Sequence, residues 1–153
     1  MTFSLKAEDW VSAPLMTRLR SCDQTVTVVR VVDASALGAV LFIEPAADAV
    51  AAQLHDATLV APHLLGYEIA NVCLKKIRGN PEQRAAILVQ FAGWDQIGIE
   101  LLEVNHQDLP QLAEEFGLST YDASYLWLAG QLDSELVTLD RRLERAERLL
   151  RQR

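Results

Sequence analysis

Cysteine is scarce in this chain: Cys22 and Cys73 are the only two in 153 residues, and they fit neither a Cys-x-x-Cys nor a Cys/His zinc spacing. That excludes a disulfide framework, a redox dithiol and a zinc ribbon, and leaves reduced thiols in a cytoplasmic protein as the expectation. Long apolar runs are missing too. Charge-free apolar stretches such as residues 34–43 fall far short of the roughly 20 residues a membrane-spanning helix needs, so no membrane is expected among the partners. Near the N-terminus Glu8 and Asp9 arrive early, without the uninterrupted apolar core of a secretory leader. Positive charge is in deficit: 14 Lys and Arg stand against 21 Asp and Glu, a net charge of −7. Loose, charge-driven coating of a polyanion is thereby disfavoured, although a local basic surface remains compatible.

What is present is the composition of one compact domain, 50% hydrophobic and 23% charged. A chain of this length buries roughly two thirds of its unfolded surface, so any metal must be argued from chemistry rather than from a need for a staple. Residues 1–25 are weakly patterned and read as an N-terminal extension to a domain over 26–153, with Met16 as an alternative start. The β-branched run at 25–32 then reads as a strand ending at Asp33. Helices are expected over 34–43 and 46–54, with Pro45 at the start of the second, and a short strand over 57–60, stopped by Pro62. A helix over 64–78 is closed by Gly79-Asn80-Pro81, and another follows over 82–94. Further on come a strand over 97–104, helices over 108–116 and 120–130, a strand over 135–139 ending at Asp140, and an amphipathic helix over 142–151. Short strands alternating with helices predict an α/β fold in three layers: a central, mostly parallel sheet of four or five strands with helices on both faces. In such folds ligands bind beyond the carboxyl ends of the strands.

Four acids stand at telling positions. Asp33 and Asp140 each follow an apolar strand, where an Asp also serves as the N-cap of the next helix. Together they share one rim if their strands are neighbours. Glu68 interrupts an otherwise apolar helix, with Asn71 and Lys75 on its face, which suits a solvated stripe as well as a site. Asp122 lies in the first turn of a strongly apolar helix, a place the helix dipole favours for structural reasons alone. That helix has almost no other charged residue, so both of its sides are expected to be covered. Four carboxylates converging without positive charge would repel and protonate. All-oxygen ligation suits a hard Mg²⁺ or Mn²⁺, the ions of phosphodiester chemistry, whether one ion or two.

Four blocks carry a resemblance: Val32-Asp33-Ala34-Ser35-Ala36-Leu37, Pro62-His63-Leu64-Leu65-Gly66-Tyr67-Glu68-Ile69-Ala70-Asn71-Val72, Tyr121-Asp122-Ala123-Ser124-Tyr125-Leu126-Trp127-Leu128-Ala129 and Leu136-Val137-Thr138-Leu139-Asp140. In this order and spacing they resemble the PIN-domain ribonucleases, most closely the VapC-type toxins of toxin–antitoxin pairs. The resemblance implies a PIN-like fold and a Mg²⁺- or Mn²⁺-dependent endoribonuclease whose acidic quartet is Asp33, Glu68, Asp122 and Asp140. Asp33 and Asp122 are then expected as direct ligands, and Glu68 and Asp140 as direct or water-mediated ones. Ser35, Asn71 and Thr138 are expected to support the acids. Glu44 matches the family as well. The resemblance further implies an RNA substrate, a homodimer and a cognate antitoxin, for which Leu37, Val40, Leu41, Phe42, Ala47 and Val50 would offer an apolar groove unless they are core.

Two basic segments, Lys75 to Arg84 and the arginines from Arg141 onward, would hold RNA beside an acidic pocket, unless Glu144 and Arg148 merely pair on one helix face. The alternative to catalysis is a PIN-like RNA-binding or scaffold module. A phosphoacceptor receiver domain is excluded: Val32, not an acid, precedes Asp33, and Arg141, not a lysine, follows Asp140.

Overall fold

The structure, a computed structural model, describes residues 28–152. The expected N-terminal extension, with Met16 and Cys22, lies outside the described residues, as do residues 25–27 of the first expected strand. The β-branched run gives strand β1 (Val28–Val32), followed by helices α1 (Ala34–Leu41) and α2 (Ala47–Leu54), β2 (Ala57–Pro62), α3 (Leu64–Gly79), α4 (Arg84–Ala92), β3 (Glu100–Leu102), α5 (Leu109–Phe116), α6 (Thr120–Leu132), β4 (Glu135–Val137) and α7 (Arg141–Leu150). The four strands form one sheet in the order β3-β2-β1-β4. Every pairing is parallel, within the expected mostly parallel range.

Parallel neighbours require crossovers, and these are right-handed almost without exception. The connections from β1 to β2 and from β2 to β3 step one way along the sheet, whereas the connection from β3 to β4 returns the other way past β2 and β1. Helices α1 to α4 therefore cover one face, and α5 and α6 the other. This makes three layers, with α6 packed on β1, β2 and β4. Helix α6 is apolar nearly all round because it is enclosed: Ala123, Ser124, Tyr125, Leu126, Leu128, Ala129 and Leu132 are all buried. β1 and β4 are direct neighbours in register Val32↔Val137, so the ends from which Asp33 and Asp140 emerge share a rim. Toward the other end of that ladder the paired residues Arg30 and Glu135 form an ion pair at 3.1 Å.

Several boundaries differ from expectation for local reasons. The strand expected over 97–104 shrinks to three residues because the chain turns through Gly98 at φ +73° just before it. The helix expected over 82–94 is flanked by two 3₁₀ turns, Pro81–Gln83 and Gly93–Gln96. Pro45 sits in a turn ahead of α2, closed by the Ala47 N–H donating to the Glu44 carbonyl at 2.8 Å, rather than in the helix itself. β2 runs on to Pro62, its last residue, which pairs with Leu102 of β3. The apolar groove proposed from the sequence is mostly core: Leu37, Leu41, Phe42 and Val50 are buried against the sheet and α3. Cys73 is buried and free. No helix among the described residues is long and apolar enough to cross a membrane.

Candidate active site

β1 stops at Val32, and Asp33 turns the chain into α1. Its backbone N–H donates to the Val137 carbonyl at 3.2 Å, extending the β1–β4 ladder by one bond. Its carboxylate caps α1, with Oδ1 accepting the Ala36 N–H at 2.9 Å. Ser35 Oγ lies 2.8 and 3.0 Å from its two oxygens, and Thr138 Oγ1 donates to Oδ2 at 2.8 Å. The direction of these two hydroxyls is fixed from behind. Ser35 Oγ accepts the Leu139 N–H at 2.8 Å, and Thr138 Oγ1 accepts the Asp140 N–H at 3.0 Å. Each hydroxyl oxygen is thus occupied as an acceptor and points its own proton at Asp33. Asp33 is only 6% exposed, and burial pushes its carboxyl above the usual range, against the pull of those donors.

Glu68 stands one turn inside α3, half-buried. Tyr125 Oη, reaching across from α6, donates to its Oε2 at 2.5 Å. Burial raises the Glu68 carboxyl; the Tyr125 hydrogen bond opposes that, and the charges of Asp33 and Asp122 add to it. Asp33 and Asp122 therefore both act on Glu68, at the carboxyl end of the sheet. Tyr125, pressed by burial and by the same three acids, is held protonated far above its ordinary range. Asp122 is fixed by a reciprocal cap: its N–H donates to Ser119 Oγ at 3.0 Å, and Ser119 Oγ donates to Asp122 Oδ2 at 2.8 Å.

The fourth acid behaves differently. Asp140 caps α7, its Oδ1 accepting the N–H groups of Arg142 at 2.8 Å and Leu143 at 3.0 Å. It is near Asp33 along the rim but is not among the charges acting on Glu68. Asn71 is exposed on α3 and makes no hydrogen bond to the acids among the described residues. Glu44 pairs with Lys76 at 2.5 Å, whose ammonium also lies 5.3 Å from the Phe42 ring centre. Tyr125 is not among the site residues expected from the sequence, yet its hydroxyl holds Glu68. The available signal was that a tyrosine three residues after Asp122, in a fully covered helix, must find a partner for its O–H.

The two basic segments also separate. Arg78 lies ten residues beyond Glu68 on α3, about 15 Å along the axis from that acid. On α7, Arg148 pairs with Glu144 at 3.3 Å and Arg151 pairs with Glu147. Arg141, Arg142 and Arg145 are exposed where α7 leaves the rim and form no ion pair among the described residues.

The donor set is all oxygen, which fits a hard divalent cation and not a nitrogen- or sulfur-seeking one. Among the described residues no three side chains are gathered closely enough to enclose an ion unaided. That is the arrangement a magnesium-type ion tolerates, because such an ion keeps several waters and takes one or two carboxylates plus substrate oxygens.

The comparisons with known proteins agree with this geometry. A model of the PIN domain matches residues 30–149. A crystal structure of PAE2754 from Pyrobaculum aerophilum is similar at TM-score 0.63 and 28% identity, covering 82% of this chain and 88% of that one. No curated protein matches. PIN domains are nuclease-type folds, usually dependent on divalent metal ions and acting on RNA or DNA. From the parallel sheet, the acids on its rim and the span of the match, this chain belongs to the PIN-domain family.

Proposed function

We propose that this protein is a Mg²⁺- or Mn²⁺-dependent endoribonuclease that acts as the toxin of a toxin–antitoxin pair. The observation that carries the catalytic part is that Glu68 of α3, tied to α6 through Tyr125, stands close enough to Asp33 after β1 and Asp122 of α6 to feel both charges at the carboxyl rim. Asp33 and Asp122 are the expected direct ligands. Glu68 and Asp140 take part directly or through water, Asp140 while capping α7. A bound divalent ion supplies an activated water and neutralises charge on the phosphodiester. The chain's own contribution is positional. Ser35 and Thr138 hold the Asp33 carboxylate in one orientation, Tyr125 holds Glu68, and Ser119 holds Asp122. Arg141, Arg142 and Arg145 give the RNA backbone a cationic edge beside an otherwise repellent acidic pocket. The toxin role, the cognate antitoxin, the homodimer and the cytoplasmic location rest on the resemblance of the four motif blocks to VapC-type proteins.

The rival reading, a non-catalytic RNA-binding module, draws on Asp140 being engaged as a helix cap and on the absence of a preformed three-ligand set among the described residues. One substitution separates the two. Asp33→Asn keeps an N-cap and removes a buried charge, so the fold is retained. We expect loss of Mg²⁺- or Mn²⁺-dependent cleavage of RNA and relief of growth arrest on expression. Wild-type protein that cleaves no RNA with either ion, and behaves like the variant, would favour the binding module.

A further inference from the structure

Beside the acids, beyond the carboxyl ends of β2 and β3, the starts of α3, α5 and α6 leave a pocket of about 220 Å³. Pro62, Leu64, Val104 and Leu109 give it apolar walls, and Tyr121, 63% exposed, stands at its side. Its polar groups are few: the His63 imidazole, paired with Glu103 at 3.4 Å, with His106, Thr120 and Ser124. The pocket shares α3 and α6 with the candidate active site. Tyr121 directly precedes Asp122, and Leu64 lies four residues before Glu68, one helical turn away on the same face of α3.

The chemistry of the walls narrows the occupant. A phosphate is disfavoured, because Glu103 sits in the lining and Asp122 is next door. The volume is below that of pockets that enclose drug-sized ligands, and suits one flat ring system rather than a whole nucleotide. An exposed tyrosine is a sequence-tolerant stacking surface, and a carboxylate with an imidazole at the edge can meet exocyclic amines and ring nitrogens. We propose that this pocket receives one unstacked nucleobase of a single-stranded RNA, next to the phosphodiester presented to the acids. The inference deepens the ribonuclease reading and rests on it for the choice of RNA.

Such a pocket makes the enzyme require a base at one fixed position relative to the cut. Duplex RNA, whose bases are stacked and paired, is then a poor ligand for it. The Tyr121 ring carries the interaction and its hydroxyl does not, so Tyr121→Phe is tolerated and Tyr121→Ala is not.

The test reads binding without turnover. The chain has three histidines. His63 and His106 line the pocket, while His55 caps the far end of α2 beside Asp56 and serves as an internal reference. A short 2′-O-methyl RNA, which resists cleavage, is titrated into the full-length protein while the imidazole NMR signals are followed. We expect the His63 and His106 signals to move and the His55 signal to stay. An RNA of the same length with an abasic residue at the pocket position should bind about tenfold more weakly. Tyr121→Ala should lose a similar factor on the intact RNA and almost none on the abasic one, with Tyr121→Phe close to wild type. Equal binding of intact and abasic RNA, or the same shifts produced by inorganic phosphate, overturns the proposal. Shifts as expected in a protein that cleaves no RNA would instead count against the ribonuclease reading and leave the base pocket standing.

Discussion

The hydroxyl of Tyr125 donates to the carboxylate of Glu68 across 57 residues of sequence, at 2.5 Å, and ties α6 to α3 at the point where both helices bring an acid to the rim. Tyr125 is 1% exposed, so the ring is anchored by packing and the hydroxyl has little freedom to choose another partner. Glu68 is held by a group from the same helix that carries Asp122. Helix α6 therefore bears on both acids.

Removing that hydroxyl should loosen Glu68 without unmaking the core. Tyr125→Phe keeps the ring, so we expect the melting temperature to change by only a few degrees. A hydrogen bond to a charged, half-buried carboxylate contributes about 1 kcal/mol here. Mn²⁺ affinity, read by electron paramagnetic resonance in the absence of RNA, should fall roughly fivefold, and cleavage should fall with it. Unchanged affinity together with unchanged cleavage would show that Glu68 needs no such support.

Thr138 offers a sharper comparison because its hydroxyl both accepts from Asp140 and donates to Asp33. Thr138→Val removes both bonds at nearly constant volume, and a loss of about 1–2 kcal/mol in stability is expected from urea unfolding. Thr138→Ser retains the hydroxyl and should recover most of both stability and cleavage. Failure of serine to rescue would shift the role of this position from its oxygen to its methyl group.

The raised carboxyl groups set the pH dependence of stability. Burial lifts Asp33 above its ordinary 3.8 and Glu68 above its ordinary 4.5. The folded protein then holds protons that the unfolded chain has already released. Their contribution is most favourable below those ordinary values and is lost as pH rises through the elevated folded ones. In EDTA, the melting temperature of Asp33→Asn relative to wild type should increase across that window and level off above it. A difference that stays flat from acid to neutral pH would mean that Asp33 ionises without penalty.

At the start of α7, the exposed arginines should act on RNA through charge alone. Arg142→Gln with Arg145→Gln should weaken binding of single-stranded RNA irrespective of its sequence, and should lower the slope of log affinity against log salt by about 0.7 for each phosphate left without its arginine. The pair-forming Arg148 provides the control, since its charge is already shared with Glu144. Equal effects at both places would point to a diffuse field rather than a defined edge.

Much of the architecture was legible because its signals are local. The β-branched run stopping on Asp33, the glycine and proline closing α3, and the almost uncharged stretch of α6 each report on a single element. The parallel sheet followed from the alternation of strands and helices, whereas the adjacency of β1 and β4 stood in the sequence only as a condition. Less legible were features decided by interactions at a distance. Nothing near Gly98 announces that β3 will be three residues long, and nothing around Glu44 announces Lys76 as its partner. Asp33 and Asp140 look alike in sequence, each an acid after an apolar strand, and both do cap helices. They part company in burial: Asp33 lies under two hydroxyls and is 6% exposed, whereas Asp140 stays at the exposed start of α7. The hydroxyl of Tyr125 was hidden for the opposite reason, because an aromatic residue in an apolar helix is adequately explained by packing alone.

The bond from Thr138 to Asp33 joins residues 105 positions apart, and β4, which precedes it, is the last strand of the sheet among the described residues. Asp33 on its own strand is therefore incomplete: its second hydroxyl and its neighbouring strand both come from the far side of the sheet, so the orientation of this carboxylate is assembled by tertiary closure and should vanish with it in any partly unfolded state.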